Sequence, residues 1–366
     1  MKRNIMYHLK QKGLNTVGLC LLLGSTTLQA NEPTERFDVD MYGSIRAQAE
    51  IVQSDREDLL NSYEGFRDSY SRIGLKAHYL INDEITLMGQ VEIPLDVANF
   101  KIQGPFEQNK RDGDPGDYDD IIYDSLRIGK VGVETKNFGS LYFGQMWIPY
   151  YNAISYPVDV FSTYYAGYAT FSNFRLNKTI AYYSPAMNGF TFSLAWSKEN
   201  GQAKENGESD DRYQATISYA WDQTHIALGL DNQGGMYDSK ILAVALSHTI
   251  KDVAGGDIYL AAKYEQFKSD KQSAYGEDGS SSKNFLVTYT KDTLTYKAMI
   301  ADTDNYGEGV YHLGIDYQVR SDLKLFIEYY HEDQTAAITT KRGGVSDTVW
   351  SSGGGNVYAL GFRYDF

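Results

Sequence analysis

The sequence predicts an all-β fold in which sixteen antiparallel strands, in up-and-down order, close into a barrel that spans a membrane. Three observations predict it: the polarity of the last strand, a series of segments with alternating polarity, and a regular alternation of short turns with long loops. Each is typical of a sheet that has lipid on its outer face and water inside.

The last eleven residues, 356–366, carry apolar or aromatic side chains at every second position, while alanine, glycine, arginine and aspartate alternate with them. The apolar face consists of Tyr358, Leu360, Phe362, Tyr364 and Phe366. A soluble barrel turns its apolar face inward, whereas a membrane barrel turns it toward lipid. This ending, with phenylalanine at the carboxyl terminus, resembles the closing strand of outer-membrane barrels. A single amphipathic strand is compatible with both kinds of barrel, so the rest of the chain must decide.

Alternating segments continue from Phe37 to the end of the chain, and each is about long enough to cross a bilayer as a tilted strand. We expect strands at 37–52, 68–80, 83–96, 121–132, 140–147, 175–185, 190–198, 211–221, 224–233, 239–250, 256–267, 283–291, 293–302, 310–319, 322–334 and 355–366. In 310–319, for example, Tyr311 and Leu313 oppose His312 and Asp316. A closed sheet of this size has a lumen too wide for side chains to fill, so its polar faces can line water.

The connections between these segments alternate in length. Seven are short turns, such as Asp222-Gln223 and Lys291-Asp292, and eight are mostly longer, polar loops. Short turns at one end and long loops at the other are typical of outer-membrane barrels. No domain boundary interrupts the pattern, so residues 31–366 are predicted to form one barrel domain.

The first thirty residues, 1–30, predict a secretory signal peptide that is cleaved after Ala30. A positively charged start precedes a short apolar core at 17–24, which is too short to span a bilayer as a helix. Cleavage would remove four basic residues and Cys20, the only cysteine, and would change the net charge from −14 to −18. An acidic chain argues against nucleic acid as a partner.

The connection at 148–174 differs from the other long loops because it is rich in aromatic residues and almost uncharged. Loops that simply face water rarely have this composition. We therefore expect this third long loop to fold into the barrel and to pack against its wall. Its tyrosines could instead form a stacking track for sugar rings; they are Tyr150, Tyr151, Tyr156, Tyr164, Tyr165 and Tyr168.

Several stretches carry a more specific resemblance: residues 71–76 (SRIGLK), 137–145 (NFGSLYFGQ), 177–185 (NKTIAYYSP) and the terminal Phe366. With them, essentially the whole mature chain resembles the general porin family of Gram-negative bacteria. The resemblance implies a homotrimer of barrels, surrounded by outer-membrane lipid and lipopolysaccharide. It also implies passive diffusion of small hydrophilic solutes and ions, with no cofactor.

The resemblance further implies a pore constriction, in which arginines on the wall face an acid of the inward-folded loop. Residue by residue, it assigns Arg72 and Arg127 to the wall, Arg175 to the position just after the loop, and Asp159 to the loop acid. Arg46 joins them because alternation along the first strand turns it inward.

Two positions depart from the family pattern. Gln145 stands where many relatives have an arginine, and residues 161–164 (FSTY) lack the second loop acid of many relatives. The transverse field at the constriction is therefore expected to be weaker than in relatives that carry both charges.

An outer-membrane enzyme is a rival hypothesis, because some barrels are proteases or phospholipases. Such enzymes need a nucleophile or paired acids beside a histidine. The histidines of the predicted barrel fall on different strands, at His78, His225, His248, His312 and His331, and no metal-ligand spacing stands out. We therefore expect no enzymatic activity and no metal. Two alternatives to a general porin stay open: a substrate-specific channel, for example for sugars, and a plugged structural barrel.

Overall fold

The structure, a computed structural model, describes residues 36–55, 62–102, 126–163, 170–198, 211–234, 238–269, 277–304, 308–333 and 354–366. The predicted signal peptide at 1–30 lies outside these residues, as do Tyr164, Tyr165 and Tyr168. No helix in the described ranges is long and apolar enough to cross a membrane.

The described part of the chain forms one antiparallel sheet. Its strands are β1 (Phe37–Ser54), β2 (Tyr63–Asp68), β3 (Ser71–Asn82), β4 (Ile85–Leu95), β5 (Ile128–Thr135), β6 (Gly139–Trp147), β7 (Arg175–Tyr183), β8 (Phe190–Lys198), β9 (Asp211–Trp221), β10 (Thr224–Gln233), β11 (Ser239–Val253), β12 (Gly256–Ser269), β13 (Ser281–Lys291), β14 (Leu294–Thr303), β15 (Val310–Arg320), β16 (Leu323–Glu332) and β17 (Gly355–Asp365). β2 and β3 both pair with β1, and every other strand pairs with its neighbour along the chain, as an up-and-down order requires.

The sheet closes because β1 also pairs with β17. At the seam, the backbone N–H of Gly43 donates to the Phe366 carbonyl at 2.9 Å, and the Phe366 N–H donates back at 3.0 Å. β2 and β3 pair with successive parts of β1, so they occupy a single strand position. The fold is therefore a closed barrel of sixteen strand positions, as the sequence predicts.

The break between β2 and β3 is not apparent from the sequence, because the residues between 52 and 68 have the composition of a polar loop. Tyr70 has a φ of 69°, which interrupts the extended backbone. The Asp68 carboxylate holds this kink by accepting the backbone N–H groups of Ser71 at 2.8 Å and Val97 at 3.2 Å. The second strand position thus begins at Tyr63 rather than at 68.

The expected strand at 121–132 also needs correction. β5 begins at Ile128 and continues to Thr135, and residues 121–125 lie outside the described ranges. Arg127 consequently precedes the strand instead of lying within it. The bounds of the other strands agree with the sequence prediction to within a few residues.

The two faces of the sheet have the polarity of a membrane barrel. On the outer face, Leu313 is 49% exposed, Ile327 60% and Leu360 57%. The opposite, inner face carries buried polar groups such as His312 and Glu328. In water this arrangement would leave rows of large apolar side chains unburied, whereas lipid accommodates them.

The inner face is not polar everywhere. Buried apolar residues such as Ala227 and Ile241 form clusters there with side chains of the long connection between β6 and β7, including Ile148, Tyr150 and Ile154. The largest apolar cluster among the described residues therefore lies between this connection and the wall, where it positions the candidate site.

Candidate pore constriction

The connection after β6 forms two short helical turns, Tyr151–Ser155 and Tyr156–Val158. These turns contact β9 to β13, and residues 161–163 reach side chains of β15 and β16. The wall residues that this connection contacts belong to the inner face of the sheet. The segment 148–163, called the constriction loop below, therefore lies across the polar face of the sheet.

Glu328 on β16 is the anchor for the far end of the constriction loop. Its carboxylate accepts the backbone N–H groups of Ser162 at 2.9 Å and Thr163 at 3.1 Å. Lys297 donates to the same carboxylate at 2.7 Å, and His312 Nε2 lies 3.1 Å from it. These partners compensate the cost of burying the carboxylate, which would be large if it were unpaired.

Glu265 on β12 anchors both ends of the connection. It accepts the Tyr150 hydroxyl at 3.0 Å, the Thr170 hydroxyl at 2.6 Å and the Phe171 N–H at 3.0 Å. Lys263 pairs with it at 3.1 Å. Burial, reinforced by the Glu265 carboxylate, raises the pKa of the Tyr150 hydroxyl well above its ordinary value. Tyr150 therefore stays protonated and keeps donating to Glu265.

A third buried acid, Asp231 on β10, holds the chain just after the loop. It accepts the Ser172 hydroxyl at 2.5 Å and the Arg212 Nε–H at 2.7 Å. Arg212 also donates to the Asn173 side-chain oxygen at 2.8 Å. Charge-assisted bonds of this kind are stronger than neutral ones, so each end of the connection is fixed to the wall.

Two of the predicted wall residues meet at one carboxylate. Arg127 Nε lies 2.6 Å from Glu92 Oε1, and Arg72 Nε lies 3.8 Å from Glu92 Oε2. The Tyr42 hydroxyl also donates to Glu92, at 3.0 Å. Glu92 is not among the site residues that the sequence predicts, although the alternating polarity of 83–96 puts it on the polar face. Glu92 lies diagonally across from Arg72 in the β3–β4 register, and this proximity follows from the register rather than from the alternation of polarity.

Trp147, at the end of β6, connects Arg127 with Arg175. The two guanidinium groups lie 5.3 Å and 4.6 Å from the centroid of its ring, within the range of cation–π attraction. Trp147 also stacks on Tyr151 of the constriction loop, with ring centroids 4.3 Å apart. This tryptophan links the wall arginines to the loop, and it is not among the site residues that the sequence predicts.

Arg46 is turned inward, as alternation predicts. Its Nε donates to the Ser44 hydroxyl at 2.6 Å, and its guanidinium lies 3.9 Å from the Asp365 carboxylate. Arg363 pairs with the same carboxylate at 2.7 Å. Arg46 also interacts electrostatically with Arg72, so these basic residues form one group on the wall.

The remaining predicted positions have local partners. Asp159 ends the second helical turn of the loop, and its carboxylate accepts the Tyr151 hydroxyl. Gln145, which stands where many relatives have arginine, donates its side-chain amide to the backbone carbonyls of Leu126 and, at 3.4 Å, Arg127. It thereby supports the backbone that presents Arg127.

A model of the Gram-negative porin family matches residues 18–366. The outer membrane protein Omp-EA of Erwinia amylovora is 25% identical over 219 residues, which are 56% of this chain but only 50% of that protein. The outer membrane porin F of Xenorhabdus nematophila is 23% identical over 318 residues, 83% of this chain and 74% of that protein.

A solved structure of Salmonella typhi OmpF, in complex with daunomycin, superposes with a TM-score of 0.64. It is 16% identical and covers 90% of this chain and 97% of the OmpF chain, so it shows a shared fold. Three observations point to the same family: the match of the family model over nearly the whole chain, the two relatives, and the inverted polarity of the barrel. The chain belongs to the Gram-negative porin family and is a multi-pass β-barrel of the outer membrane.

Proposed function

We propose that this porin is a general diffusion channel, whose narrowest part lies between the constriction loop and the wall that carries Arg72 and Arg127. The observation that carries this proposal is the attachment of the loop to the inner face, by Glu265 and Glu328. A loop held against the inner face in this way would narrow the lumen at that level.

Transport through such a channel is passive and follows the solute gradient. Selectivity then depends on pore width, on the cost of dehydration and on the charges at the narrowest part. Among the described residues, the wall group contains four cations, Arg46, Arg72, Arg127 and Arg363, and two carboxylates that pair with them, Glu92 and Asp365. We infer that the constriction favours anions, although the chain as a whole is acidic.

Planar-bilayer recording of the purified protein tests the proposal. We expect large, stepwise conductance increases and a reversal potential that shows anion preference in a salt gradient. A protein that inserts into the bilayer but gives no stepwise openings would contradict the channel, and cation preference would contradict the role of the wall arginines.

A sugar-specific channel is less well supported, because two of the loop tyrosines are committed to packing. Tyr150 is 0% exposed and bonded to Glu265, and Tyr151 stacks on Trp147. Tyr156, at 65% exposed, is free to contact solutes. Liposome swelling separates the two functions: rates that fall smoothly with solute size indicate general diffusion, and saturation by one sugar indicates specificity.

We also propose that three copies associate in the outer membrane, with the remaining outer face against lipid and lipopolysaccharide. Family membership and the exposed apolar outer face support this assembly. Light scattering with correction for bound detergent should give the mass of three chains, and a monomeric mass would exclude it.

A further inference from the structure

At the short-turn end of the barrel, β1 and β3 bring together two carboxylates and an imidazole. Asp38 and His78 are direct partners across the strand pair, and Asp40 lies two residues along β1, on the same face. One ligand atom from each of the three side chains lies within 4.8 Å of the other two. A single cation between them could therefore bind all three.

Little competes with a cation for these side chains. Among the described residues, no hydrogen bond or ion pair involves the side chains of Asp38, Asp40 or His78. Lys76, which is opposite Asp40 in the register, lies with its Nζ 5.0 Å from the centroid of the Tyr42 ring. The two carboxylates are exposed and the imidazole is half-buried, so an ion from solution can reach them.

The ligand set indicates the class of metal. An imidazole nitrogen with two carboxylate oxygens suits Zn²⁺ and similar first-row transition ions, whereas Ca²⁺ and Mg²⁺ prefer oxygen ligands throughout. Three protein ligands leave a position for water, as in open zinc sites. We propose that Asp38, Asp40 and His78 form a binding site for a divalent transition metal such as Zn²⁺, at the mouth of the barrel.

The three ligands are far apart along the chain, so the sequence alone shows no metal-ligand spacing. His78 lies some 40 positions from the two aspartates, and only the antiparallel register of β1 and β3 makes them neighbours. A bound divalent ion would add positive charge to a mouth that carries two carboxylates. Its effect on ion flow rests on the proposed channel function, whereas the binding itself does not.

Binding is tested by titrating Zn²⁺ into the full-length mature protein, purified in detergent without a histidine tag, in competition with a chromophoric chelator. We expect one Zn²⁺ per chain. The variants His78→Ala and Asp38→Asn/Asp40→Asn should lose this ion. His225→Ala is the matched control and should keep the ion. His225 also lies near the short-turn end of the barrel, at the start of β10 and just after the turn at 222–223.

Co²⁺ absorption supplies a second readout of the same ligands. The wild type should give a visible ligand-field band that His78→Ala lacks and His225→Ala retains. Absence of stoichiometric Zn²⁺ binding by the wild type, or equal binding by His78→Ala, would overturn the site. If the wild type binds Zn²⁺ as expected but conducts no ions in planar bilayers, the metal site stands and the proposed channel function fails.

Discussion

At the scale of single residues, Glu92 decides how much positive charge the arginine wall presents. It lies between Arg72 and Arg127 and is almost fully buried, so its charge acts at short range with little screening by salt. The positions of the two arginines could be inferred from the sequence by family resemblance. Their shared carboxylate could not, because a pattern of alternation does not show which side chains meet across strands.

The wall arginines are expected to set ion preference. In Arg72→Ala/Arg127→Ala, two cations disappear while Glu92 stays, so the reversal potential in a salt gradient should move clearly toward cation preference. The measurement is made in planar bilayers with the wild type as reference. An unchanged reversal potential would show that these arginines do not control the permeating ions.

Glu92→Gln should produce the opposite shift, because it removes the negative charge and leaves both arginines. Anion preference should then exceed that of the wild type in the same recordings. Asp322→Asn is a suitable control, since Asp322 pairs with Arg320 in an exposed turn. A shift of the same sign in Glu92→Gln and in the double arginine variant would contradict the electrostatic explanation, because mere distortion of the wall would act alike in both.

At the scale of elements, the constriction loop and its docking surface explain where simple alternation fails. The rule that inner residues are polar predicts the inner face of most strands correctly. Three inner residues, Ala261, Leu286 and Met299, are apolar instead. They form one cluster with Val158 and Phe161 of the loop. The aromatic, uncharged composition of the loop indicated that it packs on the wall. The apolar patch of the wall against which the loop packs is not apparent from the sequence, because its residues are spread over several strands.

Loosening one anchor should loosen the loop. In Glu328→Gln, the side chain loses its charge, so its bonds to the Ser162 and Thr163 amides and to Lys297 weaken. Single-channel recordings should show more current noise and a higher mean conductance. Asp322→Asn again serves as the control, and quiet, wild-type currents from Glu328→Gln would argue that this carboxylate does not hold the loop.

The seam between β1 and β17 makes a second element-scale prediction. A Cβ atom at Gly43 would come within 2.3 Å of the Phe366 ring and 2.9 Å of the Arg72 carbonyl oxygen. Gly43→Val should therefore destabilise the barrel, by about 1–3 kcal/mol as is typical of overpacking. Urea unfolding followed by circular dichroism measures the difference.

Gly89→Val is the matched control for this substitution. Gly89 also lies in a strand, but a Cβ atom there would meet nothing within 4 Å. We expect its unfolding midpoint to stay close to that of the wild type. Equal loss of stability in both variants would mean that the β-strand glycines matter for a reason other than the crowded seam.

At the scale of the whole molecule, the strand number, the order and the orientation of the faces were all predictable from the sequence. Each strand repeats the same two-residue period, and sixteen repetitions leave little freedom for another arrangement. The break at Tyr70 was not predictable in this way, because it depends on a buried carboxylate that bonds to backbone groups distant in sequence.

The central claim is that the apolar face looks toward lipid while the polar face surrounds water. Leu246, 44% exposed, and Ser247 are neighbours near the middle of β11, on the outer and inner faces respectively. With Cys20 replaced by serine, each position is changed to cysteine, and the membrane-embedded protein is treated with a charged, membrane-impermeant thiol reagent. Ser247→Cys should react readily while Leu246→Cys stays protected until the protein is unfolded, and the reverse pattern of labelling would contradict the account.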